Sequence, residues 1–99
     1  MAYINYYVYL LSNRSNSVLY TGMTDDLQRR VEEHKNSLHS QSFSSRYKVH
    51  KLVWWEEHPT AEEALEREKQ LKAGPRAKKV ALIEAHNPLW LDLAKDWYK

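Results

Sequence analysis

Two short runs of strand-forming residues, joined by a polar turn, constrain the fold more than any other feature of this sequence. Residues 3–11 (YINYYVYLL) are dense in the aromatic and β-branched types that favour strands. Residues 12–17 are polar and include two asparagines, which favour turns. A second run, Val18–Thr21, follows, and Gly22 comes directly after it. The pattern predicts an antiparallel hairpin that ends at Gly22.

A helix, a loop and a third strand are predicted next. Residues 24–26 (TDD) resemble a helix start, because acids are favoured at the positive end of the helix dipole. This helix is predicted to end near residues 35–36. Residues 37–45 (SLHSQSFSS) are serine-rich without periodicity and are predicted to form a loop. Leucine, valine and two tryptophans then predict a strand over Lys51–Glu56.

The last third of the sequence is predicted to be helical. Thr60 and Glu63 have the spacing of a capping box, and the glycine–proline pair at 74–75 ends the helix they begin. A further helix is predicted over Arg76–Ala85. The tail Asn87–Tyr98 contains two tryptophans and three leucines, and is therefore predicted to pack on the rest of the domain.

The predicted order is ββαβαα plus a packed C-terminal tail. We expect an α/β (α+β) fold, in which a small three-stranded, mainly antiparallel sheet is flanked by helices. Ninety-nine residues suffice for one domain, predicted over residues 1–99, with its core at about residues 5–85 and its tail at 86–99.

The composition excludes several classes of protein. Without cysteine, neither a disulfide framework nor a thiolate zinc site can form. No apolar run approaches the roughly 18 residues of a membrane span, and none has the flanks of a signal peptide, so we expect a soluble, cytoplasmic protein. A net charge of +2 says little about partners. Six basic residues between positions 67 and 79 have the pattern of a solvated helical surface.

Glu68 breaks the pattern of its predicted helix. At about 100° per residue it shares one stripe with Ala64, Leu65 and Leu71, the stripe that faces the core. Burying an unpaired carboxylate is costly. Glu68 is therefore expected either to form a salt bridge with a core arginine or Lys72, or to act as a metal ligand or general base.

Arg30 is distinguished from Arg29 by helical phase. Arg30 and His34 lie one turn apart beside the apolar stripe of the first helix, whereas Arg29 points nearly opposite and is solvated. The guanidinium of Arg30 can pair with Glu68 or hold a phosphate, whose oxygens its planar fork matches. Spacing alone does not separate these two roles.

The tyrosines and the remaining histidines give weaker signals. Seven tyrosines against one phenylalanine is an unusual ratio, but a strand tyrosine such as Tyr9 or Tyr20 commonly serves packing. The other histidines show no ligand-like spacing and are interpreted as incidental: His39, His50, His58 and His86.

Together these positions resemble the GIY-YIG nuclease superfamily. Tyr7-Val8-Tyr9 and Tyr20-Thr21-Gly22 stand where its two tripeptides belong, with Tyr7 replacing a glycine and Thr21 an isoleucine. Arg30 follows Tyr20 by ten residues, as the family's catalytic arginine does, and His34 comes one turn later. Glu68 matches the metal-binding glutamate. The C-terminal stretches at 77–83 and 87–93 resemble the small, stand-alone bacterial branch.

The resemblance implies phosphodiester hydrolysis with one divalent metal ion. Glu68 would hold Mg²⁺ or Mn²⁺, and Arg30 would stabilise charge on the phosphate. Tyr9 would help to deprotonate or position the attacking water, which requires its phenolate to be stabilised by the metal or Arg30. Tyr20 would position the phosphate or water, and His34 is a supporting residue or alternative base.

Substrate contacts are expected from three further residues, namely Arg46, Tyr47 and Lys72. Arg46 and Tyr47 would contact the backbone or stack on a base. The implied substrate is nucleic acid, DNA in preference to RNA, in flexible or branched forms. The implied process is DNA repair or processing.

Two other functions remain open at this point. The first is a nucleic-acid-binding module with little intrinsic activity, or one that needs a protein partner for targeting, because repair, homing and restriction relatives carry extra modules for that purpose. The second is a structural or interaction domain in which Glu68 and Arg30 form a buried ion pair.

Overall fold

The fold is an antiparallel sheet with helices on both faces, in the predicted order ββαβαα. The computed structural model describes residues 4–36 and 47–98, and the predicted loop at 37–45 lies outside them. The described elements are the strands β1 (Tyr6–Ser12), β2 (Leu19–Thr24) and β3 (Lys51–His58), and the helices α1 (Leu27–Lys35), α2 (Ala61–Ala73) and α3 (Arg76–His86). The predicted α+β fold class is confirmed.

The sheet has the strand order β2-β1-β3, and both pairings are antiparallel. In the register Tyr9 lies opposite Gly22 on one side and Trp55 on the other. The prediction that the hairpin ends at Gly22 is wrong, because β2 continues through that residue to Thr24. Gly22 has no positive φ, so its backbone extends the strand instead of turning it.

Alternation along β1 divides the core into two halves. Val8 and Leu10 face one side, where α2 and α3 cover them with Ala64, Leu71 and Ile83. Tyr9 and Leu11 face the other side, where they pack against Leu27 and Val31 of α1 and Ala94 of the tail. The predicted stripe of α2 is only partly buried, because Leu65 remains 43% exposed. The sheet therefore separates α1 from α2.

Side-chain caps set the starts of α1 and α2. Asp26 accepts a hydrogen bond from the backbone N–H of Arg29 at 3.1 Å, and Thr60 accepts one from that of Glu63 at 3.1 Å. The predicted cap at Thr60 is confirmed, whereas the predicted start of α1 shifts so that Asp26 is its cap. None of the helices in residues 4–36 and 47–98 combines the length and apolar character that crossing a membrane requires.

The tail packs along β3, as predicted. The backbone N–H of Leu93 donates to the carbonyl of Leu52 at 2.8 Å, and the Asp92 carboxylate accepts from the N–H of Leu52 at 3.1 Å. Asn87 is buried, and its amide donates to the carbonyls of Val53 at 3.1 Å and Leu91 at 2.9 Å. These bonds join the tail to β3, the edge strand on the opposite side of β1 from β2.

Asn87→Ala should lower the free energy of unfolding by roughly 1–3 kcal/mol, because the buried carbonyl of Val53 loses its side-chain donor. Urea unfolding followed by tryptophan fluorescence measures this change. The matched control is His86→Ala at the neighbouring exposed position, which should stay within about 0.5 kcal/mol of the unchanged protein. Equal stabilities of the two variants would contradict the role of Asn87.

Candidate active site

Three aromatic rings meet on the sheet face that α1 covers. The Tyr9 hydroxyl lies 3.1 Å from His34 Nε2, at hydrogen-bonding distance. The Tyr20 ring centroid lies 6.1 Å from that of Tyr9 and 5.1 Å from that of His34. Strand register brings the two tyrosines to one face, since Tyr9 pairs with Gly22 and Leu11 with Tyr20. The structure thus joins three residues that are far apart in the sequence.

Gly22 provides the space in which Tyr9 lies. A Cβ atom at position 22 would stand 2.5 Å from both Cζ and the hydroxyl oxygen of Tyr9, and 2.9 Å from Cε1 of Tyr20. Both distances are below van der Waals contact, and Tyr9 is only 1% exposed, so its ring cannot swing aside. A side chain at this point of β2 is therefore incompatible with the observed position of the phenol.

Arg30 approaches the same cluster from α1. Its guanidinium forms an ion pair with Glu33 at 3.0 Å, and its side chain remains 33% exposed. Arg29 is 59% exposed and forms ion pairs with Asp26 and Glu33, as expected of the solvated one of the two neighbouring arginines. Burial alone would lower the pKa of Arg30, but its hydrogen bond to Glu33 and the nearby Tyr9 raise it, so the guanidinium stays charged.

Burial determines the protonation state of Tyr9. Loss of solvent raises the pKa of its phenol well above 10.0, and the neighbouring Tyr20 raises it further. The positive charge of Arg30 lowers this pKa without outweighing burial. Tyr9 therefore carries its proton at neutral pH, and Arg30 alone does not produce the phenolate expected from the sequence.

Glu68 lies on α2, across the sheet from α1. Its side chain is 15% exposed, and its carboxylate pairs with Lys72 Nζ at 3.3 Å. Of the two salt bridges considered for Glu68, the one with Lys72 forms; the pair with Arg30 does not, because Arg30 binds Glu33 instead. Both α2 and the aromatic cluster contact β2, so this edge strand is the element that the two groups share.

The donor chemistry around Glu68 fits a hard divalent cation. No group of three or more His, Asp or Glu gathers at one point in the described part of the chain. Mg²⁺ characteristically uses one or two carboxylates, with water and substrate phosphate as its other ligands. A single half-buried carboxylate beside an exposed lysine is compatible with that mode of binding and with Mn²⁺.

The predicted substrate contacts are not members of the aromatic cluster. Lys72 is exposed and forms an ion pair with Glu68. Tyr47 is exposed and lies on the segment that precedes β3. Arg46 lies outside the described residues.

Sequence reasoning missed three contributors to this arrangement. Glu33 holds Arg30 from one helical turn away, and its spacing of three residues was a usable signal. Gly22 was interpreted as a strand end. His50, interpreted as incidental, places its Nδ1 2.5 Å from the backbone carbonyl of His34, which no sequence spacing indicates.

Comparison with known proteins places this arrangement in a family. The model of the GIY-YIG catalytic domain matches residues 5–80. UPF0213 proteins of Staphylococcus aureus strains Mu3 and N315 are 38% identical over 80 residues, which is 81% of this chain and 95% of theirs. The solution NMR structure of the UPF0213 protein BH0048 from Bacillus halodurans superposes with a TM-score of 0.55 at 29% identity, over 93% of this chain and 97% of that one.

Gly22→Ala should destabilise the protein by roughly 1–3 kcal/mol, because the added methyl group overpacks the buried phenol of Tyr9. Urea unfolding measures the change. Gly74→Ala is the matched control: its new Cβ would meet its nearest atom, the carbonyl oxygen of Gln70, at 3.1 Å, so a smaller loss is expected. An unchanged stability in Gly22→Ala would contradict the close approach of Tyr9.

The raised pKa of Tyr9 predicts a loss of stability at alkaline pH. Its stabilising contribution is complete below the unfolded-state value of 10.0 and is lost as pH rises through 10.0 towards the folded-state value, because only the unfolded chain ionises readily there. Urea unfolding at about pH 8 and about pH 11 should show a shallower decline for Tyr9→Phe than for the unchanged protein. Equal declines would refute the prediction.

Proposed function

This chain belongs to the GIY-YIG family of catalytic domains, and we propose that it is a divalent-metal-dependent endonuclease that hydrolyses phosphodiester bonds in nucleic acid, DNA in preference to RNA. The family relationship supports the nuclease class. The observation that carries the proposal is the contact between the Tyr9 hydroxyl and His34 Nε2, with the charged guanidinium of Arg30 close by. This combination offers a proton path and a phosphate-binding group at one place.

Water activation proceeds through Tyr9 and His34 together. Because Tyr9 keeps its proton, it cannot serve as a resting phenolate base. The Tyr9 hydroxyl donates its proton to His34 Nε2 while its oxygen accepts a proton from the attacking water. The resulting hydroxide bonds to phosphorus, the bond to the leaving oxygen breaks, and bulk water supplies the proton that this oxygen takes up. His34, whose ordinary pKa lies near neutrality, ends the step as an imidazolium.

Arg30 and Tyr20 bind and orient the phosphate. The guanidinium of Arg30 donates two hydrogen bonds to the non-bridging oxygens, and it remains charged at all relevant pH values. Glu33 holds it in place from the adjacent turn. Tyr20, half-buried beside His34, presents its hydroxyl at the edge strand, where it positions the phosphate or the attacking water.

Glu68, the half-buried carboxylate of α2, would hold the metal. A bound Mg²⁺ or Mn²⁺ supplies Lewis-acid stabilisation of the leaving oxygen and of the developing negative charge. Lys72 pairs with Glu68 at 3.3 Å. With a cation held by Glu68, the Lys72 ammonium would be available to the phosphate backbone.

A binding module with little intrinsic activity is the second candidate. One observation favours it: the ion pair with Lys72 already occupies Glu68, and a metal ion must displace that ammonium. In this case nucleic acid binds at Arg30 without hydrolysis, or hydrolysis requires a protein partner that supplies the targeting.

Glu68→Ala and Arg30→Ala should each lower the cleavage rate by about 10²–10³-fold, because each removes charge stabilisation from the transition state. The assay follows labelled single-stranded, duplex and branched DNA, and matched RNA, with Mg²⁺ and with Mn²⁺. Glu66→Ala and Arg29→Ala, exposed neighbours of the same charge, are the matched controls and should retain activity. Full cleavage by Glu68→Ala would refute the assignment of the site.

A thermal shift with Mn²⁺ separates the two candidates within the same set of variants. A metal that binds the native state raises the melting temperature. The shift should appear in the unchanged protein and in Glu66→Ala, and be absent in Glu68→Gln. A Glu68-dependent shift without cleavage of any substrate would favour the binding module over the nuclease.

A further inference from the structure

An open basic cleft lies at the end of the sheet where β1 stops and β3 starts. It has a volume of about 860 Å³, within the range of roughly 300–1,000 Å³ that ligand pockets show. Its walls are the β1–β2 turn and the segment that enters β3, and its side chains include Arg14, Tyr47, Lys48, His50, Lys51 and Asp92. The proposed hydrolysis does not use the side chains of Arg14, Lys48 or Lys51.

The charges of the cleft favour an anion. Three cationic side chains, those of Arg14, Lys48 and Lys51, face a single carboxylate, that of Asp92. That carboxylate is already engaged, because it pairs with Lys35 and accepts the backbone N–H of Leu52. The positive charge of the cleft is therefore not neutralised by its own wall.

The wall of the cleft combines an exposed aromatic ring with a fixed backbone conformation. Tyr47 is 42% exposed. Lys48 has a φ of 57°, a left-handed conformation that non-glycine residues seldom adopt and that is concentrated at functional sites. Lys51 is held by its bond to the Asn16 side chain at 2.5 Å. An aromatic face beside cationic side chains is the arrangement that binds the bases and phosphates of single strands.

The cleft adjoins the candidate active site. His50, one of its lining residues, donates from Nδ1 to the backbone carbonyl of His34 at 2.5 Å, since a carbonyl can only accept. Ser12, at the end of β1, lies three residues from Tyr9, which corresponds to about 10 Å along a strand. That span equals one or two nucleotide steps of an extended strand. The cleft is therefore within one or two nucleotide steps of the position that Tyr9 occupies on β1.

We propose that this cleft binds single-stranded nucleic acid next to the scissile phosphate, with one unpaired base stacked on Tyr47 and the adjoining phosphates bound by Arg14, Lys48 and Lys51. The inference rests on the proposed nuclease function and gives its substrate class, a strand with an unpaired flank. Stacking requires an exposed base face, so a fully paired blunt duplex satisfies only the phosphate contacts.

Fluorescence anisotropy with a labelled twelve-nucleotide oligothymidine in EDTA tests the binding directly, without cleavage. Tyr47→Ala should raise the dissociation constant by about tenfold or more. Tyr47→Phe keeps the ring, so its dissociation constant should stay within about threefold of that of the unchanged protein. Arg14→Ala/Lys48→Ala should also weaken binding. It should reduce the slope of log Kd against log salt by about 1.4, the value for two single-strand phosphate contacts.

The control is Lys78→Ala/Lys79→Ala, which removes one exposed and one half-buried charge from α3 and should leave the affinity and the salt slope nearly unchanged. A blunt twelve-base-pair duplex should bind more weakly than the single strand and be insensitive to Tyr47→Ala. Absence of oligothymidine binding, equal losses in the α3 control, or an unchanged affinity in the cleft variants would each overturn the proposal.

Failure of this proposal is distinguishable from failure of the nuclease function. Active protein whose cleft variants bind and cleave normally refutes the cleft and leaves the nuclease intact. Binding that depends on Tyr47, in a protein that cleaves nothing with either metal, refutes the nuclease and leaves the cleft intact. Glu68→Ala should retain oligothymidine binding in EDTA, because Glu68 does not line the cleft.

Discussion

The arrangement of the site depends on one close approach, that of the Tyr9 phenol to the backbone of Gly22. In the central strand of a covered sheet a tyrosine needs space for its ring, and the neighbouring strand provides it by carrying no side chain at the opposing position. The phenol is held against β2, where Tyr20 and His34 close around it. The packing of the core and the geometry of the candidate site thus depend on the same contact.

That contact also determines the chemistry available to Tyr9. A phenol buried this deeply is stabilised in its protonated form, and the positive charge of Arg30 does not reverse the effect. A base that must first lose a proton at high cost is a poor base on its own. A buried hydroxyl that already contacts an imidazole nitrogen can instead transfer its proton as it accepts another. The physical role of His34 in the proposal follows from the burial of Tyr9.

Sequence patterns predicted the elements and singled out two candidate site residues. They failed where contacts join distant segments. Helical phase separated Arg30 from Arg29 and found Glu68, because spacing within one helix determines direction. Helical phase does not show which residue a charged side chain will pair with, and Arg30 pairs with Glu33 and not with Glu68. A glycine can form a turn, or it can leave space for a neighbouring ring, and composition does not distinguish the two. The strand β2 was therefore predicted to end too early, at Gly22. The contact of His50 with His34 depends on how β3 approaches α1, which no local pattern encodes.

Separate partners for Arg30 and Glu68 keep both charges available. Had these two residues formed a buried pair, each would have neutralised the other, and displacing either with a phosphate or a metal ion would have left a buried charge uncompensated. Instead each has a local partner three or four residues away on its own helix, with part of the side chain in solvent. Such partly exposed ion pairs within one helix contribute little to stability and are readily exchanged. With α1 on one face of the sheet and α2 on the other, β2 is the edge strand that both the aromatic cluster and α2 contact.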